Sequence, residues 1–317
     1  MYQAKAAKAH QDVPIAVLTG QARASAAATI RIRDEISTPD LRQFRVEYQP
    51  IVDLQTGSIV SAEALLRWSH PAFGEISPVT FIPLAERVGS VTVLGDHVLS
   101  VALDALAIWT AGDGRNELSV SVNVSPRQLT DPSLAVTVVE QVRRRGLTPG
   151  QLALEVTEEA FVDDIEAVVE TIAALRAGGI SVSVDDFGTG HSSLRYLRRF
   201  DADIVKIDRE FVQASSSEQR TDALVRSVIA MADALGLVCI AEGIETLEQL
   251  ALVRGHGCRL GQGYLLARPM PAEALGRLLT AGHVYPVDVQ APLKDTCEAS
   301  VVTLRGVSSI GECGPVA

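Results

Sequence analysis

The sequence predicts an α/β chain folded as a (β/α)8 TIM-like barrel whose first hairpin is antiparallel and irregular. Three observations carry this expectation. Short β-branched runs alternate with helical patterns from Phe44 to Leu266. Eight such runs occur, the number that closes this kind of barrel. The first two are joined by a link too short for a crossover helix.

Taken in order, the first two runs are Val46–Val52 and Ile59–Leu66, with Asp53-Leu54-Gln55-Thr56-Gly57 between them. A link of that length turns the chain back on itself, so this pair must be a hairpin. The remaining runs are Leu118–Val124, Gln151–Val156, Ile180–Asp185, Ile204–Ile207, Leu237–Ala241 and Leu260–Leu265. One intervening helix runs from a cap at Asp163/Asp164 through Ile165, Val168, Ile172 and Leu175 to a Gly178-Gly179 stop. Another carries Leu224, Val228, Met231 and Leu235 on one face and ends at Gly236. The chain divides into an N-terminal segment over 1–40, the barrel over 41–284 and a loose C-terminal tail over 285–317.

Composition limits the function. The 317 residues carry 28 Lys+Arg against 39 Asp+Glu, a formal charge of −11, which disfavours bulk nucleic acid or an anionic membrane as partner. Hydrophobic residues make up 47% and charged residues 21%, enough for a large core. No apolar run reaches the roughly 18–20 residues of a membrane span; the richest, Leu99–Trp109, is broken by Asp104. With no apolar signal segment near Met1, the chain reads as cytoplasmic, or as a cytoplasmic piece of a longer one. Cys239, Cys258, Cys297 and Cys313 form no C-x-x-C pair, and the histidines are scattered. A zinc site is therefore not expected.

The polar residues fall in a pattern. Ser119, Ser121 and Asn123 alternate with Val120, Val122 and Val124; Ser181, Ser183 and Asp185 alternate with Ile180, Val182 and Val184. Ala153 and Glu155 alternate in the same way with Leu152, Leu154 and Val156. Strand side chains alternate faces, so the aliphatic row belongs under the helices and the small polar row inside the barrel. Active sites of such barrels sit at the C-terminal strand ends. Glu63, Asn123, Glu155, Asp185, Asp186, Lys206, Glu242 and Gln262 should therefore meet at one mouth. Carboxylates so crowded repel one another and need cations. Five carboxylates and one amide oxygen form an all-oxygen ligand set that selects Mg²⁺ or Mn²⁺. The set exceeds what one Mg²⁺ takes from protein, so two ions sharing an aspartate fit better, the usual device for phosphodiester cleavage. Lys206 would hold the attacking hydroxide or the phosphate.

Glu63-Ala64-Leu65 with Leu66-Arg67-Trp68 resembles the signature of the EAL-domain cyclic di-GMP phosphodiesterases. So do Asn123-Val124-Ser125, Leu154-Glu155-Val156-Thr157-Glu158 and Asp185-Asp186-Phe187-Gly188-Thr189-Gly190. Lys206-Ile207-Asp208, Ala241-Glu242-Gly243-Ile244-Glu245 and Gln262-Gly263-Tyr264-Leu265 complete the set, over about Phe44 to Leu279. The resemblance implies hydrolysis of cyclic di-GMP to linear pGpG in bacterial signalling. It implies that Glu63, Asn123, Glu155, Asp185, Asp186 and Glu242 hold two metal ions, with Asp185 as the bridge and Lys206 and Glu242 at the catalytic centre. It further implies that Arg67 contacts a substrate phosphate and that Gln262 lies near the substrate. Glu158 and Glu245 would brace the loop after Asp186, and the protein would be a homodimer. Met1-Tyr2-Gln3-Ala4-Lys5 resembles the end of a GGDEF domain, which implies a GGDEF or sensor domain as partner. His191 and Arg259 depart from the family's usual Tyr and Asp.

Two other readings compete: a non-catalytic cyclic di-GMP receptor, and a Mg²⁺ barrel lyase with a lysine base. Degenerate receptors of this family typically lose ligands, and all are present here. The antiparallel hairpin, Asn123 and the Asp185-Asp186 doublet argue against the lyase.

Overall fold

The computed structural model describes residues 29–112, 117–157, 160, 165–187, 202–215, 219–282, 284, 302–303 and 306–307. Nine strands form one sheet: β1 (Phe44–Asp53), β2 (Ile59–His70), β3 (Gly74–Ile76), β4 (Ser119–Asn123), β5 (Leu152–Thr157), β6 (Ser181–Phe187), β7 (Ile204–Ile207), β8 (Val238–Ala241) and β9 (Leu260–Gly261). The order β1-β9-β8-β7-β6-β5-β4-β2 closes through pairing of β1 with β2, and β3 hangs on the free part of β2. β1 is antiparallel to both neighbours, while the pairs from β2–β4 round to β8–β9 are parallel.

The expected hairpin forms because Asp53 closes its turn. The Asp53 carboxylate accepts the N–H groups of Gln55 and Thr56 at 2.8 and 3.1 Å, and Gly57 takes φ 73°. β1 and β2 run 10 and 12 residues, whereas β4 to β9 run 7 or fewer. Because β1 runs backwards, its N-terminal half and the C-terminal half of β2 stand beyond the barrel mouth as a wall. The sequence pattern gives no sign of β3, because three residues are too few to show a period.

The alternating faces sort as expected. Val120, Val122, Leu154, Val182, Val184 and Val205 lie in the main core with helix residues such as Leu103, Val138, Ile172 and Ile229. Each buried aliphatic side chain contributes about 1.5–3 kcal/mol. Inside the barrel, Ile51, Ala153, Ile204, Ile240 and Leu260 form a separate apolar plug.

The helix Ile165–Ala177 buries Val168, Thr171, Ile172 and Leu175, and its expected cap at Asp163/Asp164 lies outside the described residues. The helix Gln219–Ala234 buries Val225, Val228, Ile229 and Ala232. Leu224 and Leu235, expected on that face, are 41% and 58% exposed. The helix rests on β7 and β8 through a stripe that includes small Ala232, and the leucines flank it. The last strand stops earlier than expected. A Cβ on Gly263 would lie 2.1 Å from the carbonyl oxygen of Ile244, and the chain turns over 263–266 instead of extending.

A helix over 29–36 lies against the wall. Its Ile32 and Ile36 join Phe44, Trp68, Phe81 and Leu94 in a second core, and Glu35 meets His70 at 2.6 Å. Among the described residues, Val91–Thr110 is the one helix long and apolar enough to cross a membrane; its face of Val98, Leu99, Ala102, Leu103 and Leu106 is buried in the core. In the tail, Val302–Thr303 pairs with Gly306–Val307.

Candidate active site

Lys206 organises the mouth. Its side chain is 1% exposed, and Nζ lies 2.6 Å from Glu242, 3.0 Å from Glu155, 3.3 Å from Glu63 and 3.4 Å from Asp185. Inward-pointing positions at the ends of neighbouring strands bring these groups together. In the ladder Glu63 faces Ser121, Asn123 faces Glu155, and Lys206 follows Ile204 of the inner plug by two residues. Asn123 Nδ2 and Gln262 Nε2 donate to the two oxygens of Glu63, at 3.1 and 2.7 Å. All eight residues expected at one mouth are at one mouth.

Asp186 reaches it by a different route. Alternation would turn it away from Asp185, but the β6–β7 register shifts between Val184 and Phe187. Asp186 adopts φ 53°, the one positive φ outside glycine among the described residues. Its N–H donates to Asp185 Oδ1 at 3.0 Å. The bulge re-aims the side chain, so that oxygens of Asp185, Asp186 and Glu242 lie within 4.8 Å of one another. A left-handed non-glycine residue costs about 1–3 kcal/mol and persists where the surroundings impose it, often at functional sites.

Five carboxylates face one ammonium, and the electrostatics follow from that imbalance. Burial, then repulsion from Glu63, lifts the Glu155 carboxyl well above the usual range despite Lys206. Burial raises Glu242 to about 8, with Lys206 opposing and Asp185 adding to the rise. Burial, Asp185 and a hydrogen bond to Asp208 push Asp186 up to about 7. Glu63 is the exception. Burial would raise it, but Lys206, Gln262 and Asn123 together hold it below its ordinary value. Lys206 is driven upward by its four carboxylates, which outweigh burial.

Such a site binds either protons or hard cations. The donor set is all oxygen, and the buried Gln262 Oε1 has no hydrogen-bond partner among the described residues. Both features fit a divalent cation of the Mg²⁺ or Mn²⁺ kind and its water shell.

Arg67 stands higher on the wall, 22% exposed, with Nε donating to Glu47 at 2.9 Å. It lines a cavity of about 310 Å³ with Leu65, Leu94, Asn123 and Pro126. Glu245 is exposed, and its backbone N–H donates to Gln249 at 2.7 Å. Glu158, His191, the loop after Phe187 and Met1-Tyr2-Gln3-Ala4-Lys5 lie outside the described residues. Arg259 pairs with Asp53 at 2.9 Å at the far end of the barrel, fastening the first turn to β9. Two further residues belong to the site. Asp208, 9% exposed, was visible in the Lys206-Ile207-Asp208 string. Glu47 carried no motif, and only the hairpin register could reveal it.

Fold and site together define a (β/α)8 barrel with one antiparallel strand and a carboxylate-lined mouth organised round a buried lysine. The chain belongs to the EAL domain family, whose model matches residues 31–269. It is 42% identical over 258 residues to the cyclic di-GMP phosphodiesterase NbdA of Pseudomonas aeruginosa, covering 81% of this chain and 32% of that protein. An uncharacterised signalling protein of Caulobacter vibrioides is 40% identical over 260 residues, covering 80% of this chain and 31% of the relative. The chain thus spans about a third of these relatives' length. The solved structure of the PaMucR phosphodiesterase in complex with c-di-GMP superposes with a TM-score of 0.71 at 38% identity, covering 79% of this chain and 99% of that one.

Proposed function

We propose that the chain is a cytoplasmic, metal-dependent phosphodiesterase that hydrolyses cyclic di-GMP to linear pGpG and so lowers a bacterial second messenger. The observation that carries this reading is Lys206 buried among four carboxylates at the mouth, within a chain whose relative NbdA is named for that activity.

Glu63, Asn123, Glu155, Asp185, Asp186 and Glu242 would hold two Mg²⁺ or Mn²⁺ ions. Bound there, the ions supply Lewis-acid polarisation of the phosphodiester and charge neutralisation. The protein's own groups do the rest. Lys206 Nζ donates to the attacking water and orients it toward phosphorus. As the water oxygen bonds to phosphorus it gives up one proton to the Glu242 carboxylate, the P–O3′ bond breaks, the bond electrons leave on O3′, and that oxygen takes up one proton from solvent; Glu242 returns its proton to solvent, so the count is unchanged. Arg67 holds a non-bridging phosphate oxygen, and Gln262 positions the substrate beside Glu63. Glu158 and Glu245 brace the loop after Asp186, and the working form is a homodimer. A GGDEF or sensor domain is its partner, in keeping with the greater length of the relatives and with the bifunctional name of MucR.

The test is to incubate the purified chain with cyclic di-GMP and Mg²⁺ or Mn²⁺ and separate the products. Conversion to pGpG that stops with EDTA is expected. Tight binding of intact cyclic di-GMP without turnover would instead make the chain a receptor.

A further inference from the structure

We infer that Glu47 is a positioning residue for substrate binding, acting by fixing the Arg67 guanidinium. The inference rests on the phosphodiesterase reading above.

The hairpin register places Glu47 opposite Leu65 and Arg45 opposite Arg67. Glu47, Leu65 and Arg67 share the parity of Glu63 and so lie on the inner face of the wall. With a rise of about 3.3 Å per residue, Arg67 Cα stands roughly 13 Å further along β2 than Glu63 Cα, and only an extended side chain reaches back toward the mouth. Such a side chain has many rotamers, and ordering it on binding costs affinity.

Glu47 removes that freedom beforehand. Its Oε2 accepts Arg67 Nε–H at 2.9 Å, and the Leu66 carbonyl accepts Nη1–H at 3.1 Å. The Nη2 group makes no hydrogen bond among the described residues, while Arg67 lines the cavity beside Asn123. The guanidinium is thus held from behind with donors left for an incoming oxyanion. Glu47 is held in turn: Arg45 Nη2 donates to its Oε1 at 3.2 Å, and Arg45 Nη1 donates to Glu75 at 2.9 Å and to Ser69. Two arginines and two carboxylates alternate across β1, β2 and β3, so the clamp adds no net charge against an anionic substrate.

The experiment is steady-state kinetics on Glu47→Ala, Glu47→Gln, Arg67→Ala and the double variant, with cyclic di-GMP and Mn²⁺ and with thermal unfolding in parallel. Wild-type turnover is the control: its absence would overturn the phosphodiesterase reading and the positioning role with it, whereas an active wild type whose KM is unchanged in Glu47→Ala would overturn the positioning role alone. Expected is a rise in KM of about tenfold for Glu47→Ala with kcat within about twofold. Glu47→Gln, which still offers an oxygen to Nε–H, should fall between wild type and Glu47→Ala. The double variant should match Arg67→Ala, because Glu47 has nothing to hold once Arg67 is gone. A KM for Glu47→Ala equal to or below that of wild type would overturn the proposal. So would effects of the two single variants that multiply in the double variant.

Discussion

Replacing Lys206 by Met keeps the volume and removes the charge that four carboxylates share. Breaking one partner of a buried ion pair costs about 3–5 kcal/mol. Here a single ammonium serves Glu63, Glu155, Asp185 and Glu242 at 2.6–3.4 Å, so the upper part of that range applies where those groups are ionised. For a domain of roughly 150–250 residues, each kcal/mol moves Tm by about 2–4 °C, so a loss of about 4–5 kcal/mol gives a fall of about 8–20 °C in EDTA. The pH dependence has a definite sign. Asp186 and Glu242 have folded pKa values raised to about 7 and about 8. Their protonated forms therefore favour the folded state below the unfolded value, and that stability is lost as pH rises through about 7 and 8. The folded pKa of Lys206 is also raised, so its contribution is complete at neutral pH and fades only in strong alkali. The deficit of Lys206→Met should therefore widen from pH about 4 to about 8. Mn²⁺ should narrow it by supplying positive charge to the same oxygens. Differential scanning calorimetry of both proteins, with EDTA and with Mn²⁺ across that range, measures each term. Equal Tm values in EDTA at pH 8, or a deficit that Mn²⁺ leaves unchanged, would refute the account of Lys206 as the cluster's internal counter-charge.

Metal binding near pH 7 should release protons, because Asp186 and Glu242 are partly protonated there. Apparent affinity should climb with pH up to about 8, and titration calorimetry should give heats that depend on the buffer's ionisation enthalpy; buffer-independent heats would count against it. Gly263→Ala drives a Cβ to 2.1 Å from the Ile244 carbonyl, so urea unfolding should show a loss of about 3 kcal/mol or more, and an unchanged midpoint would show that the turn can yield. Ile36→Ala, at a position 0% exposed in the second core, should cost about 2–5 kcal/mol. The emission of Trp68, which that core encloses, should shift red on loosening, and an unaltered spectrum and stability would mean that the helix over 29–36 is dispensable.

Much of this protein could be read from the chain alone, because the governing rules are local. Strand alternation separated Ser121, Glu155 and Ser183 from Val122, Leu154 and Val182, and the gain from burying aliphatic side chains under the helices put the second row outward. The five-residue link between β1 and β2 excluded a crossover, so the antiparallel start needed only a length. The acidic strand ends and their all-oxygen chemistry were equally plain. Tertiary structure decided what depends on distance between distant segments. Asp186 lies by parity on the wrong face, and only the bulge against β7 and its left-handed backbone turn it toward Asp185 and Glu242. The last strand is cut short because Gly263 meets the backbone of Ile244, an approach no local pattern announces. Glu47 carries no motif, and its hold on Arg67 exists only because the register of the hairpin sets the two on one face within reach. Residue type and spacing determine which groups can face the mouth; packing between elements determines which of them meet.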